Sequence, residues 1–231
     1  LNDWADRWPS SDGGTQLKRL FALPVIVLMV LMSPSAVQAR PKDDNGPVRA
    51  VITFAKNRSA PDASTITWRL DRRKNGHWVS VESQTWRAGA GMLGKRGKNE
   101  CIKNVGWLPN GDYGVRLRTP YHGNLIKGNV LQIDNKRCAG GRGVLRQSLF
   151  VHTEQGDGGK QCRNRRGDQV CRWEFPRFND YRSYGCIKMA PGDLAALVRR
   201  YQTQLSPEVR YPLDRVVLKV TYAPRGTPPA A

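Results

Sequence analysis

Several features that define large protein classes are missing from this sequence of 231 residues. It has no stretch of 18 or more unbroken apolar residues, which excludes a protein with several membrane-spanning helices. It has no C-x-x-C pair and no zinc-finger, helix-turn-helix or RNP-like pattern, so the sequence gives no sign of a specific nucleic-acid site. Acidic residues are scarce, with 19 Asp and Glu against 38 Lys and Arg.

The residues that are present indicate a globular, turn-rich chain. Hydrophobic residues make up 39% of the sequence, which is enough to build a core. The 23 glycines and 15 prolines exceed the average but stay below the range of disordered chains. The length is compatible with one or two domains.

Residues 1–39 have the pattern of a secretory signal peptide. A polar start ends in Lys18 and Arg19, residues 20–32 are apolar, and residues 37–39 form a small-residue cleavage pattern. Thirteen helical residues extend only about 20 Å, whereas a hydrocarbon core is about 30 Å thick. We therefore predict a cleaved signal peptide, with an uncleaved membrane anchor or a buried helix as the alternative.

The remaining chain divides into three predicted parts. Residues 40–47 form a short charged linker, 48–222 the folded domain, and 223–231 a flexible Pro-rich tail. The charges of the first 39 residues cancel, so the whole net charge of +19 belongs to the exported part. Such a domain attracts polyanions, and outside a cell these include anionic wall polymers, peptidoglycan carboxylates and lipid headgroups. The alternative is an ordinary solvated basic surface.

Five cysteines in an exported chain permit two disulfides and leave one thiol over. The pairing Cys162–Cys171 would close a polar, turn-rich segment, and Cys101–Cys138 would close a longer loop. Loops of these lengths contribute roughly 3 and 4 kcal/mol in the chain-entropy model. Cys186 is then free. A metal site is the competing interpretation, which the small number of histidines (His77, His122 and His152) makes weak.

Short apolar runs bounded by turn residues predict a mainly β domain with one substantial helix. The predicted strands are 48–54, 65–70, 77–81, 113–117, 129–133, 149–152 and 215–222. Lys74-Asn75-Gly76 predicts a turn between two of them. After Pro191, the residues Leu194, Leu197, Val198 and Tyr201 recur with helical period.

The segment before that helix, SYGCIKM at 183–189, contains the unpaired thiol between basic residues. A buried, inert cysteine is one interpretation. The other is a nucleophile, because nearby cations lower a thiol pKa and the thiolate is the reactive form. Only about 3% of a thiol with the reference pKa is ionised at pH 7, so a base is needed. The spacing alone does not single out His152 for that role.

The pair LFVHT and SYGCIKM, followed by a Pro-Gly-Asp helix start, resembles the catalytic domain of the L,D-transpeptidases. The segment 107–115 is similar to a family loop and 215–222 to its closing strand, so the resemblance extends over residues 48–222. It implies a family fold of β-sandwich or mixed sheets with a helix after the catalytic cysteine. It also implies an exported enzyme, secreted or located in the cell wall, that acts on peptidoglycan stem peptides.

The resemblance assigns roles residue by residue. Cys186 matches the nucleophile and His152 its base. Thr153 matches the group that orients the histidine through a backbone carbonyl, while Gly185, together with Cys186, matches the backbone donors of the oxyanion. A further set is expected to bind substrate: Ser183, Tyr184 and Lys188.

Three departures from the family pattern bear on activity. Tyr184 replaces a second histidine, and Lys188 replaces an arginine, which binds carboxylates differently. The spacing between His152 and Cys186 is about twice the common one, and the excess contains Cys162 and Cys171. That insertion is either a lid or substrate wall beside the site, or a passive surface hairpin.

The resemblance implies cysteine acyl transfer without any metal or organic cofactor. A tetrapeptide stem is cut at its third residue, and an amine acceptor receives the acyl group in a 3→3 cross-link. With water as the acceptor, the enzyme is an L,D-carboxypeptidase. The expected partners are stem peptides and anionic wall polymers, with no specific nucleic acid and with membrane contact only through an uncleaved signal sequence. Two alternatives stay open: a degenerate wall-binding domain, and another extracellular cysteine hydrolase or a nuclease-like binder.

Overall fold

The computed structural model describes residues 46–92, 94–124, 126–153 and 181–228. Within these ranges the chain is mainly β with one substantial helix, which confirms the predicted fold class. The strands are, in chain order, β1 (Val48–Lys56), β2 (Ser64–Lys74), β3 (His77–Ala90), β4 (Gly111–Tyr113), β5 (Val115–His122), β6 (Lys127–Ile133), β7 (Lys136–Arg137), β8 (Leu145–Arg146), β9 (Leu149–His152), β10 (Ile187–Met189) and β11 (Val216–Tyr222). The α-helices are α1 (Gly94–Gly97) and α2 (Pro191–Gln204), and two short 3-10 helices cover Pro61–Ala63 and Ala139–Gly141.

Nine of the described strands form one mixed sheet in the order β4-β11-β1-β2-β3-β10-β9-β6-β5. The pairs β1/β11 and β9/β10 are parallel, and the other pairs are antiparallel. The strands β4 and β5 lie at opposite ends of this order, yet only Gly114 separates them in the chain. The sheet must therefore curl until its two end strands approach each other.

Local sequence explains the most regular elements. Asn75 and Gly76 both have positive φ, which suits the tight two-residue turn that joins β2 to β3. Pro191 lies in the first turn of α2, where its missing N–H costs nothing. The periodic residues Leu194, Leu197 and Tyr201 of α2 are fully buried. They complete one apolar core between the helix and one side of the sheet.

The structure also extends the sequence predictions. The strand predicted at 77–81 continues as β3 to Ala90, and the one predicted at 113–117 is divided at Gly114. The short strands β7, β8 and β10 were not predicted. In the described ranges no helix is both long and apolar enough to cross a bilayer. The predicted signal peptide lies outside the described residues.

Candidate functional site

The candidate site lies where β9 and β10 run side by side. Val151 pairs with Ile187, and His152 pairs with Lys188. Because side chains alternate along a strand, Val151 and Ile187 both point into the main core. His152 and Lys188 therefore point to the opposite side of the sheet, together with Phe150 and Cys186. We call this side the thiol face.

A tight turn presents Cys186 to the thiol face, and Ser183 holds that turn together. The Ser183 hydroxyl donates to the carbonyl of Cys186 and accepts from the N–H groups of Gly185 and Gly91, both at 3.2 Å. The Ser183 N–H also donates to the Gly91 carbonyl. Gly91 follows β3, so this side chain fastens the turn to the sheet. These contacts are all to backbone, which makes Ser183 a positioning residue. Its substrate contact stays a prediction.

Gly185 must be glycine in this turn. Its φ of +105° is a conformation that L side chains rarely adopt. An added Cβ would also lie 2.1 Å from a guanidinium nitrogen of Arg146 and 2.7 Å from the carbonyl oxygen of Gly106. The Gly185 N–H already donates a hydrogen bond to the Ser183 hydroxyl, so its predicted role as an oxyanion donor requires that hydrogen bond to break.

Sequence reasoning missed Arg146, which the structure places beside the thiol. It is only 3% exposed. One terminal nitrogen donates to the carbonyls of Glu100 and Trp107 at 2.7 and 2.8 Å, and the other to the carbonyl of Gly106 at 2.9 Å. The strand β8 that holds it has two residues and no periodicity, so no local pattern marks Arg146 among the 38 basic residues.

The surroundings of Cys186 act on its thiol in opposite directions. The side chain is 9% exposed and packs with Phe150 and Val130 in a small apolar cluster. Burial raises the pKa of Cys186 from 9.0 to about 11, while a backbone hydrogen bond from Phe150 and the charge of Arg146 lower it. Its sulfur donates to the carbonyl of Ser148 at 3.6 Å. Cys186 is therefore a protonated thiol at neutral pH.

His152 is oriented by its own neighbour. Its Nδ1 lies 2.9 Å from the carbonyl oxygen of Thr153. A carbonyl only accepts, so Nδ1 carries the proton and Nε2 carries the lone pair in the neutral ring. From the strand register, the Cα atoms of His152 and Cys186 are separated by roughly 8 Å. The sulfur of Cys186 is directed at the carbonyl of Ser148, on the other side of Phe150 from His152, so proton transfer to the imidazole requires the thiol to rotate toward it.

The other predicted site residues occupy contrasting positions. Tyr184 is 70% exposed at the tip of the turn, where it is open to a ligand. Lys188 is 6% exposed within β10, between Gly89 and His152 in the sheet. His77 and His122 are exposed, at the start of β3 and the end of β5. The structure thus brings His152, Lys188 and Cys186 to one face and leaves the other two histidines out of it.

The cysteine prediction is confirmed in part. Cys101 and Cys138 form a disulfide with a Cα–Cα distance of 5.4 Å, and Cys186 is a free thiol. The pairing Cys162–Cys171 lies outside the described residues, as does the insertion that contains it. Among the described residues, no three His, Cys, Asp or Glu side chains are grouped closely enough to hold a metal ion.

Comparisons with known proteins reveal only distant likenesses. No protein-family model matches the chain, and no curated protein matches its sequence. Among solved structures, the chain is similar to Bd1075 of Bdellovibrio bacteriovorus at 11% identity, over 74% of this chain and 47% of that one, with a TM-score of 0.39. It is also similar to the helical cell shape determining protein Pgp2 from Campylobacter jejuni at 13% identity, over 78% and 49%, with a TM-score of 0.40. The chain spans about half the length of both proteins.

Proposed function

We propose that this protein is an exported peptidoglycan L,D-transpeptidase. It forms a thioester between Cys186 and a tetrapeptide stem and transfers the acyl group to an amine, giving a 3→3 cross-link. The observation that carries this proposal is that a free thiol, just before β10, and an oriented histidine, at the end of the adjacent parallel strand β9, lie on the same face of the sheet. The resemblance of SYGCIKM and LFVHT to the family motifs supplies the substrate class.

The protonation state of Cys186 determines how the reaction begins. Because burial keeps the thiol protonated at neutral pH, its proton leaves as the attack occurs rather than before it. Nε2 of His152 takes that proton while the sulfur attacks the carbonyl of the L-to-D amide at the third residue of the stem. The C–S bond forms, the C–N bond to the terminal D-Ala breaks, and His152 returns the proton to the leaving amine.

The second half of the reaction restores the thiol. The side-chain amine of a diamino acid on another stem attacks the thioester, and the C–S bond breaks. The amine's proton passes through His152 back to the sulfur. With water as the attacking group, the same residues perform L,D-carboxypeptidase chemistry. Neither route calls on a metal or an organic cofactor.

Incubation with a tetrapeptide muropeptide tests the proposal by mass spectrometry of protein and products. We expect a thioester adduct and a cross-linked dimer, both lost in Cys186→Ala and in His152→Ala. His77→Ala is the matched control, because it removes an exposed histidine far from the thiol face. A shortened tripeptide alone would identify the carboxypeptidase. A folded protein that gives neither adduct nor product would exclude the proposal.

The buried, protonated state of Cys186 favours a second candidate, a catalytically degenerate domain that binds cell-wall polymer. The exposed Tyr184, in place of a second histidine, adds to it. This candidate predicts that Cys186→Ala is retained on purified cell walls as strongly as the unmodified protein. Loss of retention at high salt would identify anionic polymer as the ligand.

A further inference from the structure

A polar cleft opens at the end of the sheet from which Cys186 projects. It has a volume of about 200 Å³ and is lined chiefly by Gly114, Arg116, Gln132, Asp134, Asn135 and Arg210. We call it the Arg116 cleft. It lies across the first residues of β5 and the last residues of β6, beyond the apolar cluster around Phe150.

The strand register places Arg116 on the thiol face. Arg116 pairs with Gln132 on β6, and Gln132 pairs with Phe150 on β9. Their neighbours Val115 and Leu117 belong to the main core, so Arg116 and Gln132 point to the other side. Phe150 packs against Cys186. One row of residues therefore crosses the thiol face from the thiol to Arg116.

A chain of hydrogen bonds also connects the cleft to the thiol. The side-chain oxygen of Asn135, in the cleft wall, accepts from the N–H of Ser148 at 3.3 Å. The carbonyl of the same Ser148 accepts from the sulfur of Cys186 at 3.6 Å. Both contacts are made by the backbone of Ser148, so the Asn135 side chain in the cleft wall lies within about 10 Å of the Cys186 sulfur.

The charges in the cleft leave one cation uncompensated. Asp134 pairs with Arg210 at 2.6 Å and accepts from the N–H of Gly114 at 2.9 Å. Arg118, next along the thiol face, pairs with Glu208 at 2.6 Å. Within the described part of the chain, Arg116 has no acidic partner. A guanidinium with two parallel donors suits a carboxylate. The negative charge of the Asp134 carboxylate repels a more highly charged anion such as phosphate more strongly than it repels a carboxylate.

We infer that the Arg116 cleft is a carboxylate-binding subsite of the substrate site. It holds a carboxylate of the substrate roughly 10 to 15 Å from the carbonyl that Cys186 attacks, which corresponds to about three or four residues of extended peptide. The inference rests on the proposed function and specifies that the substrate is an acidic peptide. Arg116 is a specificity-determining residue in this scheme, and the Gln132 amide lies beside the bound group.

The test uses two stem tetrapeptides, one with free carboxylates and one with the same carboxylates amidated. We expect the unmodified protein to form the Cys186 thioester with the free acid at least about tenfold more efficiently, since a charge-assisted pair is lost with the amide. Arg116→Gln removes that preference because the KM for the free acid rises. The kcat for the amidated peptide changes little. Lys219→Gln, an exposed cation on β11, keeps the preference.

Binding to Cys186→Ala separates this inference from the proposed function. If the free acid binds that variant more tightly than the amide, and if Arg116→Gln abolishes the difference, the subsite is established even where no thioester forms. In that case only the transpeptidase proposal fails. An equal affinity for both peptides, or a preference that survives Arg116→Gln in the folded protein, would overturn the inference.

Discussion

Three cations are buried in the described residues, and two of them, Lys56 and Arg146, are bound in different ways. Lys56 is fully buried and forms a 2.6 Å ion pair with Glu100, below the rings of Tyr222 and Trp107. Arg146 is almost as buried, but its guanidinium hydrogen bonds within the described residues go to backbone carbonyls. Glu100 joins them, because its side chain binds Lys56 while its carbonyl accepts from Arg146.

The difference lies in whether the charge is cancelled. A carboxylate neutralises Lys56, so little of its field reaches beyond the pair. Carbonyl dipoles replace the water around Arg146 without cancelling its charge. That charge remains effective at Cys186, where it opposes the rise in pKa caused by burial. We conclude that Lys56 stabilises the fold, whereas Arg146 both stabilises the fold and lowers the pKa of the Cys186 thiol.

The largest expected effect follows from Arg146→Met. Three buried carbonyls lose their donor, which costs about 4 kcal/mol of the free energy of unfolding. The Cys186 thiol also loses a positive charge that lowers its pKa, so the pKa rises and alkylation by iodoacetamide at pH 8–9 slows several-fold. Denaturant unfolding and alkylation rates across pH measure the two effects separately.

Arg146→Lys is the control for that experiment. It keeps the charge but not the three-carbonyl geometry. We expect it to lose stability yet to retain most of the alkylation profile. An Arg146→Met protein that is folded and alkylates along the unmodified profile would show that Arg146 has no electrostatic role at the thiol.

Glu100→Gln gives the next largest effect. It leaves the fully buried Lys56 without a counter-charge, and we expect a loss of about 3 kcal/mol. The backbone carbonyl that binds Arg146 is unchanged. The alkylation profile of Cys186 should therefore stay within experimental error of the unmodified protein. A shift as large as that of Arg146→Met would mean that Lys56 and Arg146 are not independent.

A smaller effect is expected from the thiol itself at high pH. Its pKa in the folded protein is about 11, above the ordinary 9.0, so the folded state holds this proton more tightly than the unfolded state. The stabilisation is complete below pH 9 and is lost as the pH rises to about 11, for a total of roughly 2 to 3 kcal/mol. Urea unfolding of unmodified protein and Cys186→Ala should diverge in that window. Parallel curves would contradict the burial of Cys186.

Lys56→Met is expected to cause the smallest loss of stability among these variants. The methionine fills the same apolar space below Tyr222, and Glu100, which is 20% exposed, can be solvated by water. We expect a loss of about 1 kcal/mol, well below that of Glu100→Gln. Thermal unfolding of the two variants at pH 7 measures the difference. A larger loss for Lys56→Met than for Glu100→Gln would mean that Glu100 is the more costly group to leave unpaired.

Local patterns in the sequence predicted most of the regular fold. The β-branched runs, the Asn75-Gly76 turn and the helical period after Pro191 all depend on neighbouring residues, and each is present in the structure. The strand β10 was missed because its three residues are too few for a pattern. Its strand conformation depends on β3 and β9, which are distant in sequence.

The site shows the same division. The motif residues were identified by resemblance, and the structure places His152, Lys188 and Cys186 on one face; their catalytic and binding roles stay predictions. No local rule could predict that Arg146 would meet Gly185, because that contact depends on three loop carbonyls from residues 100–107. The Arg116 cleft likewise requires the register of three strands.

The junction at Gly114 has a consequence for the order of folding. The strand β4 pairs with β11, which pairs in turn with β1, about 165 residues away in the sequence. Such distant contacts form slowly, because a long loop must close before they contribute. The hairpin β2–β3 and the pair β5–β6 involve close neighbours and can form early. We therefore expect closure of the curled sheet to be the last step of folding, after the chain has been synthesised through Tyr222.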